Sequence, residues 1–339
     1  MSLKQIAAMV GTSVSTVSRV LNNTSAACAS RELRERIWEA ARETGYLPNE
    51  AARQLRKSGR DTASAVHISI VLARITSLEK DLFFSELFLS LEVELLKQKA
   101  LIDHIIYADE TFSQNLSESD GVIILGRCSQ QLLSHITAQN KNVAAIWRNS
   151  MNFNVDEVIC DGQKAAEQAM RHLLSRGHRK IAYIGDCSYE SRYVGYCNMM
   201  IQNSIPMDYS LIRQTDQTQE EAETALKELL ELKAEGKRDF TAILCANDST
   251  AIRVLELLHK EKKKVRESLS VISIDNVEAS QDTKPMLTTI HIPRAEMAHM
   301  AVVLLLDRIA GGHGETVRIE FPCRLIRRGS VADLSPADP

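Results

Sequence analysis

With 339 residues, 44% of them hydrophobic and 25% charged, the chain carries apolar material for about two domains, which excludes disorder and collagen-like fibres. No stretch approaches the ~20 consecutive apolar residues of a membrane helix, and the charged opening MSLKQIAAMV lacks a signal peptide's apolar centre; a cytoplasmic chain with no membrane partner is expected. The net charge of −3 hides an asymmetry: residues 1–60 hold ten Lys/Arg against five Glu, leaving −8 on the remainder, as in a nucleic-acid-binding head on an acidic body.

Leu3, Ile6, Ala7 and Val10 mark one apolar face of a short helix that stops at Gly11. Helix restarts at Ser13, with Val17, Val20 and Leu21 on one side and Val14, Ser15, Ser18, Arg19 and Asn22 on the other. Two short helices joined by a Gly-containing turn predict a helix-turn-helix whose second helix enters the major groove. Val14, Ser15 and Arg19 are then the base readers: a thymine-methyl contact, a hydroxyl donor or acceptor, and a bidentate guanine partner. Ser13, Thr16, Ser18 and Asn22 suit phosphates. An ordinary amphipathic hairpin is the alternative reading. A third helix is predicted from an N-cap at Ser30, with Leu33, Ile37, Ala40 and Ala41 inward, to Gly45; residues 58–65 (SGRDTASA) read as linker.

Beyond residue 62, strand-like runs (VHISIVL, LIDHIIY, GVIIL, VAAI, KIAYIG, AILCA, LSVISI) alternate with helices near 84–99, 129–139, 162–176, 191–203, 218–231 and 248–260. This order predicts parallel sheets covered by helices, in two lobes, with a ligand in the crevice beyond the strands' carboxyl ends. Seven cysteines (Cys28, Cys128, Cys160, Cys187, Cys197, Cys245, Cys323) show no CxxC spacing and are expected as buried free thiols. No GxGxxG follows a strand, and GxxxxGK[ST], HExxH and GxSxG are missing, so no cofactor, metal or catalytic residue is expected.

The block LKQIAAMVGTSVSTVSRVLN, followed by TGYLPNEAARQLR, resembles the DNA-binding head and hinge of the lactose/galactose repressor family of bacterial transcription regulators. GVIILG, CDGQKAAEQAMRHLLSRGHRKIAYIGD, CANDSTAIRVL, LSVISIDN, KPMLTTIHIPRAEMAHMAVVLLLDRIAGG and IEFPCRLIRRGSV are similar to family blocks in family order, so the resemblance covers nearly the whole chain. It implies a small all-α head over 1–47, a hinge over 48–61 and a two-lobed α/β body of periplasmic-binding-protein type over 62–339. The lobes are expected at roughly 62–160 plus 292–325 and at 161–291, joined by three crossovers, with the helix Arg294–Ala310 returning to the first lobe.

In the hinge, the resemblance implies that Leu55 wedges into the minor groove, Asn49 caps the helix and contacts phosphate, Ala52 permits close approach, and Arg53, Arg56 and Lys57 meet phosphates. An ordinary linker helix with Leu55 packed on the body is the alternative. Carried over by position, Phe84, Trp147, Arg192, Asn247 and Asp275 hold a small-molecule effector, with a sugar the expected class. Each also has a plainer role: Phe84 as core, Asn247 and Asp275 as caps, Arg192 as a surface ion pair. Trp147 stands where the family has an acid, adding a stacking surface, and the short polar stretch between Tyr107 and Gly121 resembles galactoside regulators. The tail RRGSVADLSPADP holds no heptad repeat, so a plain homodimer on a palindromic operator is expected. The rival readings are a sugar-processing enzyme, such as a kinase, with an appended head, and a binding protein whose basic N-terminus meets another protein.

Overall fold

The computed structural model describes residues 3–21, 30, 33, 36–37, 40, 65–73, 75, 77–78, 81–108, 115–149, 151–188, 190–260 and 269–335. They fall into two compact units, Met1–Ser64 and Ala65–Pro339.

In the first unit, α1 (Leu3–Val10) and α2 (Val14–Leu21) are joined by a turn in which Gly11 takes φ 72°, a left-handed conformation that glycine adopts without penalty. The Ser13 hydroxyl accepts from the Thr16 amide at 3.1 Å, capping α2. Leu33, Arg36, Ile37 and Ala40 are helical, and the Leu33 amide donates to the Ser30 hydroxyl at 3.3 Å, as an N-cap there requires. Ile6, Ala7, Val10, Val17, Val20, Ile37 and Ala40 bury together, with Leu33 against them, so the spacing of apolar residues builds a small helical core.

In the second unit, one sheet contains β1 (Val66–Ala73), β2 (Ala100–Ala108), β3 (Gly121–Leu125), β4 (Val143–Trp147), β5 (Asp156–Ile159) and β11 (Arg318–Glu320), in the order β11-β5-β4-β3-β1-β2 and parallel throughout. The other contains β6 (Ile181–Gly185), β7 (Ile212–Gln214), β8 (Ala242–Cys245), β9 (Ser270–Asp275), β10 (Thr288–His291) and β12 (Arg324–Ile326), in the order β12-β10-β9-β8-β6-β7. Only the β10–β12 pair in it is antiparallel.

Among the described residues, seven helices cover the two sheets: α3 (Leu82–Lys97), α4 (Gln130–Gln139), α5 (Gly162–Ser175), α6 (Ser191–Gln202), α7 (Gln219–Ala234), α8 (Asp248–Lys260) and α9 (Arg294–Ile309). Helices α3 and α9 pack on one face of the first sheet and α4 on the other; α5 and α6 cover one face of the second sheet, α7 and α8 the opposite one. The chain crosses between lobes at 160–161, at 292–293 and at 321–323. The third crossing corrects the expected boundary at 325, because β12 already pairs with β10 of the second lobe. Residues 327–335 stay there, with the Leu334 amide on the Arg176 carbonyl.

Strand β5 carries two charges into the interior. Asp156, fully buried, accepts from Arg308 Nε and Nη2 at 2.8 and 2.7 Å, from the Val317 amide at 2.8 Å, and meets His313 Nε2 at 2.9 Å. Burial alone would raise its carboxyl, but these partners hold it below the ordinary range. The network ties α9 and the following loop to β5.

Arg308→Met therefore leaves a buried carboxylate without its guanidinium, with only His313 and the Val317 amide as partners, and costs about 3 kcal/mol in urea unfolding of the body. Because the folded-state carboxyl is depressed, its stabilisation is complete at neutral pH and fades as pH falls below about 4. The variant loses that acid-side slope; an unchanged urea midpoint contradicts the assignment.

Candidate functional site

Two regions can carry function. On the head, Val14 is 39% exposed, Ser13 is exposed and Thr16 half-buried, with the Ser13 and Thr16 hydroxyls 2.8 Å apart. Ser15, Ser18 and Arg19 lie within α2. Asn22, Asn49, Ala52, Arg53, Leu55 and Arg56 fall outside the described residues.

The second region is the polar seam between the lobes, at the carboxyl ends of β4, β6, β8 and β9. The pleat decides which side chains reach it. In β4, Ala144 and Ile146 face the α3 and α9 side, while Val143, Ala145 and Trp147 face α4. Trp147, expected as a stacking surface in the effector site, is turned into the first lobe's core: it is 3% exposed, edge-on to Phe153 with centroids 6.0 Å apart, and its indole N–H donates to Glu157 at 3.2 Å. The next residue, Arg148, reaches the seam instead. Its guanidinium lies 4.2 Å over the Phe83 ring and donates to Asp275 Oδ1 at 2.6 Å, so the two lobes are joined by a half-buried ion pair.

Asp275 ends β9 in an unusual backbone. It has φ 135° and Asn276 has φ 53°, two successive non-glycine residues with positive φ, a conformation that persists only where the surroundings enforce it. Arg294 donates to the Asp275 and Asn276 carbonyls at 2.6 and 3.0 Å, Arg328 donates to Asn276 Oδ1 at 2.7 Å, and the Asn276 amide donates to Thr289 Oγ1. Behind the turn, fully buried Asp248 accepts from Ser273 at 2.5 Å, Thr289 at 2.6 Å and the Val277 amide at 2.8 Å. Burial and the nearby Asp275 push the Asp248 carboxyl up to about 7.

Arg192 is 3% exposed, with four of its five N–H donors engaged. It donates Nε and Nη2 to the two oxygens of Glu190 at 2.9 Å each, Nη1 to the Ala246 carbonyl at 2.6 Å and Nη2 to Gln217 at 3.1 Å. It forms an ion pair, but a buried and bidentate one. Burial works to raise Glu190, yet Arg192 and Arg148 hold it at about 2. Asn247 caps α8, accepting from the Thr250 amide at 3.0 Å. Phe84 is half-buried, edge-on to Phe83 at 5.2 Å. It lies beside Gly126, which has φ 82° and where a Cβ would come within 2.7 Å of the Ala73 carbonyl.

The structure thus joins Asp275 directly to a residue the sequence reading did not choose, Arg148, and gives Arg192 the partner Glu190. Glu86, which takes Arg294 at 2.7 Å and the Glu278 amide at 2.8 Å, Asn149, which accepts from Ser191 of the second lobe at 2.6 Å, and Phe83 were also missed. The adjacency of Arg148 to Trp147 and the Glu-x-Arg spacing at 190–192 were the available signals.

Residues 2–49 match the model of bacterial regulatory proteins of the lacI family, and residues 170–331 that of a periplasmic binding protein-like domain. The transcriptional repressor CytR of Escherichia coli (strain K12) is 30% identical, over 98% of this chain and 97% of that protein. The chain belongs to the lacI family. This lacI-family chain shares its fold with a CelR–cellobiose complex, at TM-score 0.69, 24% identity and coverage of 97% of this chain and 99% of that one. It does so also with a lac repressor dimer bound to operator and anti-inducer, at TM-score 0.64, 22% identity and coverage of 97% and 98%. It is a helix-turn-helix transcription regulator with an effector-binding body.

If Arg148 and Asp275 couple across the seam, a double-mutant cycle of Arg148→Gln and Asp275→Asn in chemical unfolding of the full chain gives an interaction energy of about 1–3 kcal/mol. Additivity within about 0.3 kcal/mol contradicts the pair.

Proposed function

We propose that this regulator is a dimeric repressor that reads a palindromic operator with α2 and releases or grips it according to a small metabolite bound at the seam between its lobes. The observation that carries the reading is the junction of a capped helix-turn-helix with a body whose two lobes meet at convergent polar groups, in a chain similar end to end to a repressor. Val14, Ser15 and Arg19 are the proposed base readers and Ser13, Thr16, Ser18 and Asn22 the phosphate contacts. In the hinge, Asn49, Ala52, Arg53, Leu55 and Arg56 take the roles the family resemblance implies.

At the seam, Asp275, Arg148, Arg192 and Phe84 are the proposed effector contacts, with Asn247 holding α8 and Trp147 supporting β4 from behind. Paired carboxylates and guanidiniums beside an aromatic edge suit the hydroxyls and C–H face of a sugar, and the similar CelR fold was solved with cellobiose. The likeness over nearly the whole chain to a transcriptional repressor supports a binding role over the kinase alternative.

Dimerisation is assigned to the first lobe. Leu89, Val93 and Leu96 of α3 form an i, i+4, i+7 stripe at 57%, 52% and 74% exposure, beside a 620 Å³ groove lined by Glu94, His299, Met300 and Phe321. A second copy is the occupant that two operator half-sites require.

Among the described residues, no helix is long and apolar enough to cross a membrane. A cytoplasmic location is proposed, as a DNA-binding role demands.

Three measurements test the reading. Binding of the full chain to DNA from upstream of its own gene weakens with salt, log K falling by about 0.9 per phosphate contact for each decade. Arg19→Ala costs about 1–3 kcal/mol at one base pair per half-site and leaves the others unchanged. Leu96→Glu gives a monomer by sedimentation with weakened DNA binding. Salt-independent binding, or a dimer undisturbed by Leu96→Glu, removes the corresponding part.

A further inference from the structure

Two of the three segments that join the lobes each carry a cysteine. Cys160 stands in the first crossing, directly after β5, and Cys323 in the third, between β11 and β12. These crossings run side by side, because β11 pairs with β5 in parallel register, Glu320 beside Ile159, and the Phe321 amide donates to the Ile159 carbonyl at 2.9 Å. The two thiols are near enough that each is the chief influence on the other's ionisation. Cys160 is 1% exposed and Cys323 half-buried, so a reagent meets Cys323 first.

We propose that Cys160 and Cys323 form a reversible disulfide that clamps two of the three inter-lobe crossings together.

The chemistry follows from the asymmetry of the pair. The adjoining Cys160 outweighs burial and lowers the Cys323 thiol, whereas Cys128, Cys187, Cys197 and Cys245 are all raised, chiefly by burial. Two opposed charges also act on Cys323, Asp161 raising its thiol and, more weakly, Lys164, which is paired with Glu320 at 2.5 Å, lowering it. The Cys323 thiolate attacks one sulfur of a low-molecular-weight disulfide such as oxidised glutathione. The reagent's S–S bond breaks, one glutathione thiolate leaves and takes a proton from water, and a Cys323–glutathione mixed disulfide remains. Cys160 then loses its proton to water and its sulfur attacks the Cys323 sulfur, expelling the second glutathione. Two protein thiols are oxidised by two electrons, and one reagent disulfide is reduced to two thiols. In a reducing compartment such a bond is transient and regulatory rather than structural.

Hinge motion is absorbed by φ/ψ changes in the crossing segments, so tying two of them together restrains opening and closing of the lobes. The consequence for DNA binding rests on the reading proposed above; the cross-link itself requires neither DNA nor effector.

The test treats the full chain with oxidised glutathione and follows it by peptide mass, amide hydrogen exchange and thermal unfolding. The expected result is a Cys160–Cys323 linked peptide lighter by two hydrogens, exchange at 159–162 and 320–323 slowed about tenfold, and a Tm raised by roughly 5 °C, all reversed by dithiothreitol. Cys160→Ser stops at a Cys323–glutathione adduct, and Cys323→Ser forms no link. The proposal is overturned if wild type accumulates glutathione adducts without the linked peptide, or if the link forms and hinge exchange is unchanged. Failure of DNA binding with the link intact strikes the proposed function and leaves this inference standing.

Discussion

The geometry of the body depends on the turn at the end of β9, where Asp275 and Asn276 hold positive φ against their own preference. Such a backbone costs of order 1–3 kcal/mol per residue and survives because polar groups on several elements converge on it. Arg294 holds its carbonyls, Arg328 and Thr289 hold Asn276, and Asp248 anchors Val277 just beyond. These partners come from α8, α9, β10 and the segment after β12. The second lobe and the helix that leaves it together hold the turn. Its product is a carboxylate aimed across the seam at Arg148.

From that turn the inter-lobe contacts follow. Arg294, at the start of α9, takes Glu86 of α3 with the same guanidinium that grips the turn, so the second crossing binds both lobes at once. Asn149 reaches from the end of β4 to Ser191 and the Gly162 amide at the starts of α6 and α5. The seam thus carries charged and amide groups beside the apolar cluster that runs through both lobes. Such groups can exchange partners with a hydroxylated ligand at modest cost, whereas a dry apolar interface cannot.

Much of this was legible in the sequence, for identifiable reasons. The helices over 191–202 and 248–260 announce themselves by period and by capping side chains, β3 by a continuous apolar run, and β1 and β9 by β-branched residues interrupted by single polar ones. Strands β5, β7, β10, β11 and β12 were not legible. They are three or four residues long, and DEVI, IRQ, RIE and RLI carry charges that read as loop. Tertiary pairing overrides that reading: Asp156 and Glu157 are buried because Arg308 and Arg318 come from distant sequence to meet them. Position-by-position inference placed Asp275 and Arg192 at the seam but misjudged residue 147. A one-residue step along a strand reverses the face, so Trp147 enters the core and Arg148 takes the exposed register.

The central claim is that occupancy at the Asp275 turn and the head's grip on DNA are linked. The most direct measurement is the operator affinity of the full chain and of Asp275→Asn, by fluorescence anisotropy at fixed salt across a panel of mono- and disaccharides beginning with cellobiose. Both proteins are predicted to bind DNA alike without sugar, and at least one sugar shifts the wild-type affinity 5- to 150-fold while leaving Asp275→Asn unmoved. A wild-type affinity indifferent to every sugar, or a variant that responds as wild type does, contradicts the claim.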